Sequence, residues 1–175
     1  MRHIIAILLQ NEAGALSRVA GLFSTRGYNI ESLSVAPTED PTVSRITLVT
    51  TGSDAVIQQI ANQLHKLIDV VRVEDMTLGE HIERELVLLK LKVRAEHTDG
   101  LRGYVVRTGG RVLDPALDGF IVELAASEAE IAHFIGELAA RAELTEVVRS
   151  GALGIARSGR TAAAHATAAA VRRMR

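Results

Sequence analysis

The sequence of 175 residues has no Cys and no Trp, and only three Phe, two Tyr and three Pro. Without Cys there is no disulfide framework, no thiolate nucleophile and no Cys-ligated metal or iron–sulfur site, a pattern that fits a cytosolic protein. No apolar run approaches the roughly 20 residues that a membrane-spanning helix needs. The apolar stretch Ile4-Ile5-Ala6-Ile7-Leu8-Leu9 stops at Gln10-Asn11-Glu12. It is too early and too β-branched for a signal peptide and reads as a buried strand. An excess of one charge is missing as well, since 20 Lys plus Arg stand against 21 Asp plus Glu, a net charge of −1. Divided along the chain, that balance is less bland. Residues 1–78 carry 6 basic and 8 acidic groups, residues 79–156 carry 9 and 13, and residues 157–175 carry 5 and none.

What is present is a pattern that occurs twice. After the first apolar strand, Asn11-Glu12-Ala13-Gly14 is a turn, and residues 15–23 place apolar side chains at helical spacing. Gly27 is positioned to end that helix. Tyr28 to Val35 alternates with period two, Pro37-Thr38-Glu39-Asp40-Pro41 has turn chemistry, and Val43 to Thr51 alternates again. Ser53 is the natural N-cap of a second helix whose apolar face is Val56, Ile57, Ile60, Leu64 and Leu67. A strand over about 69–76 closes a β-α-β-β-α-β unit. The order repeats about 80 residues later. Residues 85–93 form a strand, Thr98-Asp99 caps a helix to about 108, Gly109-Gly110 ends it, and 111–113 is a short strand. A strand over 120–125, a helix capped by Ser127 and a strand over 144–149 complete the second unit. The expected fold is α+β, two tandem ferredoxin-like sandwiches over 1–78 and 79–157, joined near Leu78-Gly79-Glu80-His81. Helices on one face of each sheet would leave the other face or an edge free. The Ala- and Arg-rich tail over 158–175 has no second apolar face to bury and is expected to be disordered, because a lone short helix is marginal in water.

Catalytic chemistry is hard to find. The six His residues (3, 65, 81, 97, 133 and 165) are scattered with no ligand spacing, and read as surface or helix-flank groups. No nucleophile elbow surrounds Ser17 or Ser24. The acid pairs Glu39-Asp40 and Glu74-Asp75 lie at a turn and a strand end, where neighbours point apart. Gly109-Gly110 lacks phosphate-loop context. One place does have site chemistry. In Asn11-Glu12-Ala13-Gly14-Ala15-Leu16 a strand end runs through a glycine into a helix N-terminus, where free N–H groups and the helix dipole favour a carboxylate or phosphate. Asn11 can donate and accept beside it, although an Asn there is equally suited to capping the helix. Asn29 lies at the far end of the helix and cannot reach the Asn11 loop of its own chain. It could reach that of a neighbouring copy.

These residues carry a resemblance. The stretches Asn11-Glu12-Ala13-Gly14-Ala15-Leu16-Ser17-Arg18, Gly21-Leu22-Phe23, Arg26-Gly27-Tyr28-Asn29-Ile30-Glu31-Ser32-Leu33 and Val35-Ala36-Pro37-Thr38 resemble the regulatory (small) subunit of acetolactate synthase. Gln63-Leu64-His65-Lys66-Leu67, Arg84-Glu85-Leu86 and Arg149-Ser150-Gly151 continue it, so that it covers about residues 2–157 and thins over 95–111. The resemblance implies an N-terminal ACT domain, a C-terminal ferredoxin-like domain, and a homodimer with ACT sheets joined edge to edge and valine bound at the interface. It implies that Asn11 and the backbone of Gly14, Ala15 and Leu16 hold the amino acid's polar end, while Asn29 and Ile30 come from the opposite protomer. It also implies a chain without cofactor or chemistry of its own, which activates a catalytic large subunit dependent on thiamine diphosphate and confers valine feedback in branched-chain amino acid biosynthesis. Two other classes compete. An amino-acid-sensing transcriptional regulator would use the basic tail on nucleic acid, but no helix-turn-helix flanks the α/β units and the tail has no aromatic residue for base stacking. An acylphosphatase-like enzyme would need an Arg in the Asn11–Gly14 loop, and none is there.

Overall fold

A computed structural model describes residues 1–77 and 79–157; Leu78 of the expected joint and the expected disordered tail at 158–175 lie outside the described residues. The first repeat comprises β1 (Arg2–Gln10), α1 (Ala15–Thr25), β2 (Ser32–Pro37), β3 (Val43–Thr51), α2 (Asp54–Leu64) and β4 (Val70–Asp75). The second comprises β5 (His81–Lys92), α3 (Thr98–Arg107), β6 (Arg111–Asp114), β7 (Phe120–Ala126), α4 (Glu128–Ala139) and β8 (Glu143–Arg149), followed by a short strand β9 (Leu153–Ala156). The first sheet has the order β2-β3-β1-β4 and the second β6-β7-β5-β8, with β9 paired to β5. Neighbouring strands along each order pair antiparallel, as a β-α-β-β-α-β chain requires. The chain divides into two compact units, Met1–Ile82 with the described residues from Leu153 onward, and Glu83–Ala152.

Each core follows from strand alternation meeting helical spacing. In the first unit Ile5, Ile7 and Leu9 of β1 and Ile46 and Leu48 of β3 meet Val19 and Phe23 of α1 and Ile57, Ile60 and Leu64 of α2. In the second, Val87, Leu89 and Leu91 of β5 and Phe120, Val122 and Leu124 of β7 meet Leu101 and Val105 of α3 and Ile131, Phe134 and Leu138 of α4. The stops and starts expected at Gly27 and Ser127 are in place, whereas Thr98 does not cap α3: it is the first residue of that helix, no side chain caps it, and the Thr98 hydroxyl donates to the Arg94 carbonyl. Gly27 has a positive φ of 69°, and its N–H and that of Tyr28 return to the carbonyls of Ser24 and Phe23 at 3.2 and 2.9 Å. Tyr28 then packs edge-on against Phe23, the apolar contact that accompanies this kind of helix end. Ser127 and Glu130 form a reciprocal capping box at the start of α4.

Three further expectations change. The strand expected from Tyr28 begins only at Ser32, because Gly27 turns the chain and Tyr28 and Ile30 pack against the core instead of joining the ladder. His3 is not a surface group: it shares the helix-facing side of β1 with Ile5 and Ile7, is 1% exposed, and lies 3.7 and 3.6 Å from the carboxylates of Asp54 and Asp75. The far face of the first sheet is not left bare either. Ile4 and Ala6 point there and are nonetheless buried. Leu153–Ala156 accounts for part of this, since the α-carbon of Gly154 sits so close that an added Cβ would meet Met76 Cε at 2.5 Å and Ile4 Cδ1 at 2.9 Å.

Candidate functional site

The turn after β1 forms the start of α1, and its geometry decides what Asn11 does. Gly14 is the N-cap residue, with φ of 87°, in the left-handed region that an L side chain rarely adopts. No side chain caps this helix and no acidic residue lies in its first turn. Asn11 is therefore not a cap. Its Nδ2 donates to the carbonyl of Pro41 at 3.0 Å and its backbone N–H to Thr42 at 2.7 Å, which ties the end of β1 to the β2–β3 loop. Of the first N–H groups of α1, that of Ala15 donates to Glu12 at 3.2 Å and that of Arg18 to Gly14 at 3.0 Å. No acceptor among the described residues takes the N–H of Leu16 or Ser17. Two adjacent unpaired donors at the positive end of a helix favour an anionic group.

The structure thus brings Asn11, Gly14, Ala15 and Leu16 together at one end of the first sheet. Ala15 is buried in the core, whereas the Leu16 side chain is 40% exposed beside the free N–H groups. Asn29 and Ile30 are elsewhere. The Asn29 carbonyl accepts from Thr50 Oγ1 at 2.6 Å, at the opposite end of β3 from Thr42. Thr50 lies eight extended residue steps beyond Thr42, roughly 25 Å at about 3.3 Å per residue. Within one chain these six residues do not form one site.

Reading the sequence alone missed one residue of this corner. Arg18, one turn into α1, lies over Gly14: its Nη1 would be 3.1 Å from a Cβ placed there. Its Nε donates to Oδ2 of Asp69, a carboxylate that is only 6% exposed. The Asp69 carbonyl accepts from Gln10 N at 2.8 Å. One residue before β4 therefore fastens both the end of β1 and the start of α1. No sequence signal marks a pair 51 positions apart, although an isolated Asp at the mouth of an apolar strand is a hint. The hydrogen bond from Arg18 first, and its charge second, hold the Asp69 carboxyl below its ordinary value of 3.8 despite burial, which pushes the other way. A carboxylate with a depressed native pKa stabilises the fold above the unfolded value, and that contribution is lost as pH falls through the native value. The wild-type chain should accordingly lose more of its urea resistance between pH 5 and pH 3 than Asp69→Asn, which has no such carboxylate to protonate. Equal losses would show that the pair does not contribute.

Comparison with known proteins gives these corners a context. A family model described as the AHAS small subunit-like ACT domain matches residues 5–72, and one described as the small subunit of acetolactate synthase matches residues 84–158. The chain is 45% identical over 157 residues to the acetolactate synthase isozyme 3 small subunit of Escherichia coli, covering 90% of this chain and 96% of that one. It is 43% identical to the acetolactate synthase small subunit of Haemophilus influenzae, with the same coverage. Among solved structures, the acetolactate synthase small subunit of Thermotoga maritima superposes with a TM-score of 0.80 at 29% identity, covering 91% of this chain and 99% of that one. With both halves matched and nine-tenths of its length aligned, the chain belongs to the family of acetolactate synthase small subunits.

Proposed function

We propose that this chain is a non-catalytic regulatory subunit that binds valine across a homodimer interface and thereby controls a separate catalytic large subunit of acetolactate synthase. The observation that carries the reading is the separation of Asn11 from Asn29. β2 is an edge strand of the first sheet, and its end at Pro37 pairs with Ser44, beside the Asn11 corner, while its start follows Asn29 and Ile30. Pairing β2 with the β2 of a second copy, antiparallel about a two-fold axis, sets the start of one strand against the end of the other. Asn29 and Ile30 of the second copy then approach Asn11 and the α1 N-terminus of the first, and the two-fold repeats the site. The unpaired Leu16 and Ser17 N–H groups suit the carboxylate, the Asn side chains the ammonium, and Leu16 and Ile30 the branched apolar end.

Such a site links effector and assembly, because valine stabilises the pairing only as far as it touches both copies. Thiamine diphosphate and the carbon–carbon chemistry belong to the large subunit, and this chain acts through contact with it in the cytoplasm. Titration calorimetry should give saturable valine binding to the dimer. Asn11→Ala should weaken that binding several-fold and shift the valine inhibition constant of the reconstituted holoenzyme by a similar factor, in keeping with coupling free energies of about 1–3 kcal/mol. A chain that binds no valine, or an Asn11→Ala variant with unchanged binding and feedback, would remove the assignment.

A further inference from the structure

The face of the first sheet turned away from α1 and α2 holds an arginine, Arg45, whose nearest acting carboxylate, Glu74, is paired with Arg72 at 3.2 Å. Alternation puts Ser34 and Ala36 of β2, Arg45 and Thr47 of β3, and Ala6 and Leu8 of β1 on that face, with Ser34 opposite Thr47 and Ala36 opposite Arg45. Arg45 is partly buried. Its Nη2 donates to the Gly154 carbonyl of β9 at 2.8 Å and lies 3.8 Å from Met76 Sδ. Among the described residues no carboxylate forms an ion pair with it; burial first and the Arg72 charge as well lower its pKa, and the Glu74 charge only partly offsets them. A guanidinium has five N–H donors and is costly to desolvate unless they are met. Two hydroxyls beside it are also unclaimed. Thr47 is 2% exposed and Ser34 partly buried, and among the described residues neither hydroxyl has a hydrogen-bond partner. Arg45, Ser34 and Thr47 all line one cavity of about 300 Å³, whose lining also includes Leu153, Gly154 and one acidic residue, Glu39.

We propose that this cavity is an oxyanion site, separate from the Asn11 corner, in which the Arg45 fork and the Ser34 and Thr47 hydroxyls take a phosphate or a small carboxylate. The planar fork offers two parallel N–H groups to one oxyanion, and the hydroxyls supply the remaining donors. The volume admits inorganic phosphate or an aliphatic acid of a few carbons. An anion seated there also fixes the guanidinium that holds the Gly154 carbonyl, so that occupancy tightens β9 on the sheet.

The test uses the full chain without valine, so that failure of the effector reading leaves it untouched. Thermal unfolding midpoints are followed against potassium phosphate and, separately, potassium isobutyrate, with chloride holding ionic strength constant. A ligand of the native state raises the midpoint saturably. The expected result is a saturable rise with one of the two salts, and the salt that acts identifies the source. Arg45→Met should abolish the rise. In case that variant folds poorly, Thr47→Val and Ser34→Ala keep the backbone and should raise the half-saturating concentration several-fold, and Arg45→Lys should do the same by losing the fork. The proposal falls if neither salt exceeds chloride, or if Arg45→Met responds like the wild type. It falls equally if Glu39→Gln lowers the anion-free midpoint and no anion has an effect, since Glu39 would then be the counter-ion.

Discussion

Arg149→Met should lower the stability of the second unit by about 2–3 kcal/mol, read as a drop in the urea midpoint. Arg149 on β8 meets Glu85 on β5 in a two-pronged contact, Nε to Oε1 at 2.9 Å and Nη2 to Oε2 at 2.5 Å. Glu85 is only 7% exposed at its side chain, on the core-facing side of the sheet with Val87 and Leu89, and its only other donor among the described residues is Gly151 N at 3.1 Å. Breaking a fully buried pair by removing one partner costs about 3–5 kcal/mol because the other charge is left stranded. Arg149 is itself 42% exposed, which lets water approach the vacated carboxylate and moves the expected cost below that range. Glu85→Gln tests the explanation. It keeps an acceptor for Gly151 N and Arg149 and buries no charge, so it should cost less than Arg149→Met. If both variants cost under about 0.5 kcal/mol, the contact is a surface ion pair and no more.

How much of this was open to a reader of the sequence depends on the range of the interaction. Gly27, Ser53 and Ser127 announce helix ends because capping is settled within about five residues, and all three act as expected. The two cores were legible for a similar reason, since spacings of two and 3.6 state which side chains share a face. Contacts set by tertiary packing were not. Leu153–Ala156 is too short to show a period, and its seat depends on Gly154 fitting against Met76 and Ile4. His3 carried no sign of burial beyond its parity with Ile5. Arg18 stood inside a recognisable stretch, yet its partner Asp69 lies across the sheet. Asn11 illustrates a different limit: an Asn before a helix looks the same whether it caps or, as here, turns its amide to a neighbouring loop. The separation of Asn29 from Asn11, by contrast, follows from chain direction alone.

Two Gly→Ala changes in the same helix should act in opposite directions, and the contrast isolates what the Asn11 corner needs. Gly21 lies mid-helix in α1 and has nothing within 4 Å of an added Cβ. Gly21→Ala should therefore raise stability by about 0.5–1 kcal/mol through helix propensity and leave valine binding unchanged. Gly14 has φ of 87°, where an L side chain costs roughly 1–2 kcal/mol, and its Cβ would press to 3.1 Å on Arg18 Nη1. The chain can relieve that strain by rotating the peptide ahead of Ala15, which re-aims the Leu16 and Ser17 N–H groups, or by pushing Arg18 off Asp69. Either response spoils the corner. Gly14→Ala should thus weaken valine binding at least tenfold in calorimetry and relax feedback in the reconstituted enzyme, beyond anything its loss of stability explains. Asp69→Asn separates the two routes. If displacement of Arg18 is the cause, Asp69→Asn will reproduce most of the affinity loss with Gly14 intact; if the N–H groups are what valine reads, it will reproduce little. A Gly14→Ala variant that binds valine as tightly as Gly21→Ala would exclude the α1 N-terminus from the site altogether.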